Sequence, residues 1–555
     1  MKTLIASLVA DALERAHVAG KLAQAAAFAP VVERPADPAH GDAATNIALM
    51  LARAEGKSPA ALASVIVQHI VPTEQVERVW VAGPGFINFR MAPGFWHEEM
   101  RRALAAGQAY FQPSVGGGRK VQVEFLSANP TGPLTVGHGR NAVVGDTLAR
   151  LFEATGHNVM REYYFNNGGR QMKLLGASVR ARYLQELGHQ AELPEDGYQG
   201  EYIREIARAL VGSHGDALAS GSADASVFRE AAESAIFAEI KRTCQRLGVR
   251  FDRYVNESDL LAGGQVAEVL EGLRERQLVV ERDGALWLKG DTVGLGRDVV
   301  LVRSGPAFEP TYRTPDIAYH IQKLRAGYDL ILDVLGADHI AQHQEVLAAL
   351  RGLGWNPAPI KAVIYQFVTL TSKGQKLKMS TRRATYVTLD ELLDEVGTDV
   401  ARFFFLSRKS DTHLDFDLDL AKRQAPENPV FYVQYAHARL ASIFREAEKA
   451  QLAPLREPGS ADFGLLSEEE LQILKVALAL PEVVAQAVET LEPHRIPFYL
   501  VDLAGQFHRY YNKPTNRIVG PDPALSGMRL VVAKLLKEAI RVGLELLGVT
   551  APERM

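Results

Sequence analysis

His138 lies inside the stretch Ser127–Asp146, SANPTGPLTVGHGRNAVVGD, which holds two prolines, four glycines and this one histidine, flanked as Gly137-His138-Gly139. Glycine lets a backbone approach a ligand closely, at a cost in chain entropy. A strand-like apolar run precedes the glycines and a helix-like one follows, which puts His138 at the expected start of a helix. Free N–H groups and the helix dipole favour phosphate there, and an imidazole can donate to a phosphate or pentacovalent oxygen. A plain loop between two core elements has a similar composition, so the stretch alone leaves both readings open. A second segment, Thr371–Thr385 (TSKGQKLKMSTRRAT), carries Lys373, Lys376, Lys378, Arg382 and Arg383 with no acid. It is either a solvated loop or one that closes over a triphosphate and stabilises leaving pyrophosphate. A third, Gly505–Arg517 (GQFHRYYNKPTNR), interleaves Phe507, Tyr510 and Tyr511 with Arg509, Lys513 and Arg517, again without an acid. Unpaired bases stack on aromatics while cations hold phosphates. A helix packing its aromatics inward is the other reading, preferred for Phe507.

These residues need elements to position them. Val121, Val123 and Phe125 alternate with Gln122 and Glu124, the period of a strand, and Val144, Leu148 and Leu151 follow helical spacing. His157–Phe165 reads as a second strand. The resulting βαβ unit implies a parallel sheet, and Glu124 ends its first strand, where such sheets meet ligands. Upstream, helical patterns over 2–27 and 43–70 precede two strands around Gly83-Pro84-Gly85. The segment Gln112–Lys120 is a boundary. Residues 188–226, polar and rich in Gly, Ala and Asp, read as an insertion. Strand and helix patterns resume through DLILDVLGADHI and KAVIYQFVTL. From Asn428 onward the pattern is helical, with Val433, Ala436, Leu440, Ile443 and Phe444 on one stripe.

The chain has 555 residues, enough for several domains, with ordinary hydrophobic (47%) and charged (23%) content for a soluble protein. A net charge of −4 excludes a global basic field, so nucleic-acid contacts must come from local patches. The single cysteine, Cys244, excludes disulfides within the chain and a multi-cysteine zinc site, fits a reducing compartment, and reads as a buried small residue. Asp11 and Glu14 interrupt the N-terminal apolar run at helical spacing, so it reads as an amphipathic helix, not a signal peptide. No uninterrupted apolar run reaches the length of a membrane span. A cytoplasmic protein without a membrane partner is expected.

Thr135-Val136-Gly137-His138 resembles the His-Ile-Gly-His signature of class I aminoacyl-tRNA synthetases, and Lys378-Met379-Ser380-Thr381 resembles their Lys-Met-Ser-Lys-Ser loop. EFLSANPTGPLTVGHGRNAVVGD, REYYFNNGGRQM, LDFDLDLA, YVQYAHARLASI, LGVTAPERM, HGDAATNIALMLAR and GPGFINF narrow the match. Together, from about His40 to Met555, the chain resembles arginyl-tRNA synthetase. The resemblance implies a multidomain α/β protein. An N-terminal α/β tRNA-binding domain would span 1–111. A class I Rossmann-type catalytic domain with a parallel sheet would span 118–395, with an inserted segment around 188–300. A connecting segment would cover 396–427, and an all-α anticodon-binding domain 428–555. It also implies the reaction: arginine and ATP form arginyl-adenylate and pyrophosphate, activation requires bound tRNA, and arginine passes to tRNA(Arg). ATP is then a substrate, magnesium rides on its oxygens, no zinc is expected, and the enzyme is a monomer.

Carried over residue by residue, the resemblance gives Glu124, Tyr312 and Asp316 to the guanidinium and Asn129 and Gln171 to the amino acid's other polar groups. A guanidinium wants carboxylates and planar acceptors in a fork. It gives Gly137, His138, Asp338, His339, Lys376, Lys378, Met379 and Ser380 to ATP; His138, Thr135, Lys378 and Arg382 to catalysis; and Arg509, Tyr510, Lys513 and Arg517 to tRNA. Two positions depart from the family pattern. Thr135 replaces the first histidine and cannot carry positive charge. Thr381 replaces the loop's second lysine, and Gly132 stands where some relatives carry a compensating one. The missing cation is therefore Lys376, Lys378 or Arg382, with Lys378 the first choice. Two other readings stay open. A different class I specificity such as cysteinyl is opposed by the lone cysteine and by Glu124 with Asp316. A paralogue that holds tRNA without activating an amino acid would explain the two departures.

Overall fold

The computed structural model describes residues 1–23, 28–35, 37–220, 224–305, 309–377 and 387–555. Contacts divide the chain into two compact units, Met1–Phe111 with Ser442–Glu482 and Arg509–Ala539, and Gln112–Ala441 with Val483–His508 and Ile540–Met555.

In the first unit an antiparallel sheet runs in the order Val32–Glu33, Ala43–Thr45, Phe86–Met91, Val76–Ala82, with the last two joined by the Gly83–Gly85 turn as the sequence implied. The helices Lys2–Val18, Ile47–Glu55, Pro59–His69 and Pro93–Ala106 belong to the same unit. Residues from the C-terminal third join it through a buried ion pair. Asp42 accepts from Lys475 Nζ at 2.8 Å and from the Met91 N–H at 2.8 Å, while Arg34 donates to the Lys475 carbonyl at 3.0 Å. The run Glu468–Thr490 is long and apolar enough to cross a bilayer by length and composition, but half of it is buried in protein. It is also divided between the helices Glu468–Ala477 and Leu480–Thr490.

The second unit is built on a five-stranded parallel sheet. Its strands are β1 (Lys120–Glu124), β2 (Asn158–Phe165), β3 (Arg253–Asn256), β4 (Leu330–Gly336) and β5 (Ile360–Tyr365), in the spatial order β5-β4-β1-β2-β3. The helix α1 (Val136–Ala154) makes the first crossover. It lies close on β1 because position 145 is glycine: a Cβ there would fall 2.2 Å from the Phe125 ring. Next come α2 (Gly169–Glu186), α3 (Glu201–His214) and α4 (Ala225–Arg246); later α5 (Arg313–Arg325) follows, and α6 (Ile340–Gly352) connects β4 to β5.

Two sequence expectations need correction. Residues 188–300 are not a separate insertion, because β3 pairs with β2 as an edge strand of the main sheet. Within 188–226, read from its polar composition as an insertion, α3 is amphipathic and buries Ile203, Ile206, Ala207 and Leu210. Among the described residues of 188–302, the three-stranded antiparallel sheet Val279–Arg282, Ala285–Leu288 and Val299–Val302 stands apart from the main sheet. Likewise 396–427 is more than a connection, since Leu414–Asp417 pairs in parallel with Val368–Ser372. Phe507 and Cys244 are buried, as expected, and burial pushes the Cys244 thiol up to about 12.

Candidate active site

The cleft lies at the C-terminal edge of the parallel sheet, where strands end and ligands meet loops. Glu124, Asn129, His138, Tyr312, Asp316 and His339 all line it. Directly after Glu124 the backbone turns through Leu126 (φ 68°) and Ser127 (φ 35°). Non-glycine residues in this region cost about 1–3 kcal/mol each unless the surroundings hold them. Here they are held. The Leu126 N–H donates to Asn141 Oδ1 at 2.6 Å, and Asn141 Nδ2 donates to the Val334 carbonyl at 3.0 Å. Ser127 Oγ donates to Glu124 Oε1 at 2.9 Å and accepts from the Tyr164 N–H at 3.1 Å.

His138 sits in the first turn of α1. Its Nδ1 accepts from the Thr135 N–H at 3.1 Å, which leaves the proton on Nε2. Burial pushes the imidazole down to about 4, so it is neutral at pH 7. The site therefore offers a neutral N–H donor at a helix N-terminus, a suitable partner for phosphate oxygens. Thr135, expected among the catalytic residues, does not line the cleft; it caps the start of the helix and fixes the tautomer of His138.

The acidic wall is continuous. Asp316 Oδ1 lies 3.0 Å from His320 Nδ1 and Asp316 Oδ2 accepts from Gln342 Nε2 at 3.0 Å. His320 Nε2 reaches Asp333 Oδ2 at 3.0 Å, and His343 Nε2 lies 3.3 Å from the same oxygen. Lys323 Nζ bridges Asp333 Oδ1 at 2.7 Å and Glu124 Oε2 at 2.5 Å. Burial and Lys323 pull His320 down, but Asp333 and Asp316 overcome them and hold it up at about 10, so it is an imidazolium. Burial opposes ionisation of Asp333, yet Lys323 and His320 keep it well below the usual carboxylate range. His320, Asp333 and His343 present atoms within 4.8 Å of one another, the spacing of a metal site. The donor set does not suit one, because an ammonium already sits on Asp333 and His320 is itself cationic.

Sequence reasoning missed Glu257, Asp333, His320 and Lys323. Glu257 opens the helix after β3 and lines the cleft, with its Oε2 accepting from Tyr164 Oη at 2.9 Å. Burial pushes it up to about 7, with Tyr164 opposing and Asp316 adding to the shift. A signal for the others was present: Asp316, His320 and Lys323 recur at helical spacing, and Asp333 interrupts an apolar strand.

Other expected residues fall elsewhere. Gln171 is exposed in the first turn of α2 and does not line the cleft. Gly137 and Asp338 also lie off it, Asp338 pairing with His339 at 3.7 Å. Lys376 is exposed in a short strand paired with Thr371. Lys378, Met379, Ser380, Thr381, Arg382 and Arg383 lie outside the described residues. Of the expected tRNA contacts, Tyr510 is corrected: it is buried, with Oη donating to Glu470 at 2.5 Å, and offers no face to a base. Lys513 pairs with Glu469 at 2.8 Å, while Arg509 and Arg517 are exposed. An exposed aromatic occurs instead in the second unit, where Tyr435 is stacked on half-buried Phe431 at 6.1 Å and on buried His508 at 5.6 Å.

Comparison with known proteins places the chain in a family. Residues 3–91 match the arginyl-tRNA synthetase N-terminal domain, 99–404 the class I tRNA synthetase (R) catalytic domain, and 433–555 the DALR anticodon-binding domain. The chain is 46% identical over 526 residues to the arginine–tRNA ligase of Desulfotalea psychrophila, covering 94% of each chain. It is 45% identical to that of Salinibacter ruber, covering 94% of this chain and 95% of the relative. It shares its fold with Thermus thermophilus arginyl-tRNA synthetase over the whole of both chains (TM-score 0.79, 24% identity). With three family domains matched in order and relatives alike over nearly their full length, the chain belongs to the class I arginyl-tRNA synthetases.

Proposed function

We propose that the protein activates arginine with ATP and transfers it to tRNA(Arg). The observation that carries this reading is the pairing, in one cleft, of the neutral His138 donor at a helix N-terminus with the carboxylates of Glu124, Asp316 and Glu257. The carboxylates suit a guanidinium. The His138 N–H suits the oxygens on the α-phosphorus as the arginine carboxylate attacks and pyrophosphate leaves. Magnesium enters on the nucleotide, since it keeps its waters and takes few protein carboxylates. The protein works as a cytoplasmic monomer, and Tyr435 and Arg509 are the tRNA contacts best placed by exposure.

Pyrophosphate exchange with each amino acid, with and without tRNA, tests the reading. Exchange should depend on arginine and be absent or very slow until tRNA is added, given the family and the missing loop lysine at Thr381. Robust exchange without tRNA would reject the tRNA requirement. Exchange with another amino acid would reject the specificity, and none at all would leave a tRNA-binding paralogue.

The Glu257 carboxyl also makes arginine binding depend on pH. It is protonated below about 7 and ionised above, so a guanidinium gains a counter-charge as pH rises. Arginine affinity should increase by up to about tenfold between pH 6 and 8, and Glu257→Gln should flatten that rise. Titration of arginine binding by calorimetry across this range checks it; a flat profile for the unaltered protein removes Glu257 from the pocket.

A further inference from the structure

Strand register sets three carboxylates in one row across adjacent strands. Asp333 of β4 stands opposite Glu124 of β1, and Glu124 opposite Glu162 of β2. Side chains in such a row share a face with Cβ atoms about 5 Å apart, so like charges there repel. Glu162 is neutralised away from the cleft, by Arg253 Nε at 2.9 Å and by hydrogen bonds from Gln122 and Tyr319 at 2.5 Å each. Glu124 and Asp333 share one cation, Lys323, projected onto the row by α5. Lys323 is 2% exposed, sits 4.2 Å from the centre of the Tyr319 ring, and does not line the cleft.

We propose that Lys323 is a positioning residue for arginine recognition: by bridging Glu124 and Asp333 it keeps the Glu124 carboxylate ionised and aimed at the cleft, so selection of a cationic amino acid depends on a lysine that never touches it. This rests on the arginine-activating function proposed above. Glu124 faces Lys323, His320, Asp316 and Tyr319 from α5, Asp333 from β4, Glu162 and Tyr164 from β2, and Glu257 across the cleft. Burial holds Glu124 above the usual carboxylate range even though Lys323 supplies the main opposing pull, so its ionisation leans on that one ammonium. Without the ammonium, two carboxylates would share a poorly solvated site and one would take a proton. Asp333 retains His320 and His343 as donors, so the proton goes to Glu124. A neutral Glu124 is no longer a counter-charge for a guanidinium, although its carboxyl still fills the same space.

The test uses full-length Lys323→Met, Glu124→Gln and the double variant in tRNA-supported, arginine-dependent exchange from pH 6.5 to 9. Lys323→Met should raise the arginine KM at least about tenfold over the unaltered protein at pH 7. That ratio should fall as pH rises and Glu124 ionises, while the ATP KM holds. Because Lys323 acts through Glu124, the double variant should be no worse than Glu124→Gln alone. Should Lys323→Met not fold, the double variant, which leaves no unpaired charge on Glu124, carries this comparison. A ratio constant with pH, an equal rise in the ATP KM, or additive losses in the double variant would overturn the proposal. Absence of arginine-dependent exchange in the unaltered protein would instead overturn the function it rests on.

Discussion

His138→Ala should slow arginyl-adenylate formation by about 10²–10³-fold, the usual loss for one preorganised donor, with little change in arginine affinity. The effect follows from geometry on both sides of the ring. Nδ1 is committed to the Thr135 N–H, so the Nε2–H is the only donor the ring can present to the cleft. That donor is fixed before substrate arrives and needs no reorganisation as charge builds on the phosphate oxygens. Because the ring is neutral far below pH 7, its contribution should be constant from pH 6 to 8; any rise of rate over that range belongs to another group. His138→Gln, which retains an amide donor, should recover part of the loss. Single-turnover measurement of adenylate formation decides, and near-normal activation in the alanine variant would return His138 to a helix-capping role alone.

The second large effect is on stability. Arg402 is fully buried. Its Nη2 pairs with Asp146 at 2.5 Å, its Nε donates to the Leu547 carbonyl at 2.7 Å, and its Nη1 to the Leu247 carbonyl at 2.9 Å. Gly548, at φ 66°, makes room: a Cβ there would lie 2.6 Å from the guanidinium. Arg402→Met leaves Asp146 in the interior with Arg150 at 2.7 Å and Arg161 at 3.8 Å as its remaining partners. Breaking a buried pair from one side costs about 3–5 kcal/mol. Denaturant unfolding should show a loss of that size. Arg402→Met combined with Asp146→Leu should lose less than Arg402→Met alone, since no buried charge is then left unpaired. A loss under about 1 kcal/mol, the worth of a surface pair, would mean that water reaches the site.

The parts of this architecture legible in the sequence are those whose signal is local. β1, α1 and β2 carry their periodicities in consecutive residues, and His138 announced itself by the glycines around it. β3 was missed because four residues, RYVN, are too few to show alternation inside a segment read as an insertion. Asp333 and Lys323 carried a local signal, but their pairing with Glu124 did not, for a different reason. Asp333 lies opposite Glu124 only because strands some two hundred residues apart pair in one register, and no property of either segment encodes the partner. Lys323 shares that difficulty, since its role depends on how α5 lies on the sheet. Tyr510 was misread because its own segment lacks acids, while Glu469 and Glu470, which bind Lys513 and Tyr510, come from a helix forty residues earlier.

The Arg402 junction also bears on synthesis. A ribosome delivers Asp146, on the helix that carries His138, about four hundred residues before Leu547, and chains of this size fold in parts as they emerge. Until residues 547 and 548 arrive, the guanidinium lacks its Leu547 carbonyl and the glycine that admits it, so the signature helix waits unfinished on a nascent chain. Translation stopped short of this point would leave an interior arginine without its full set of acceptors.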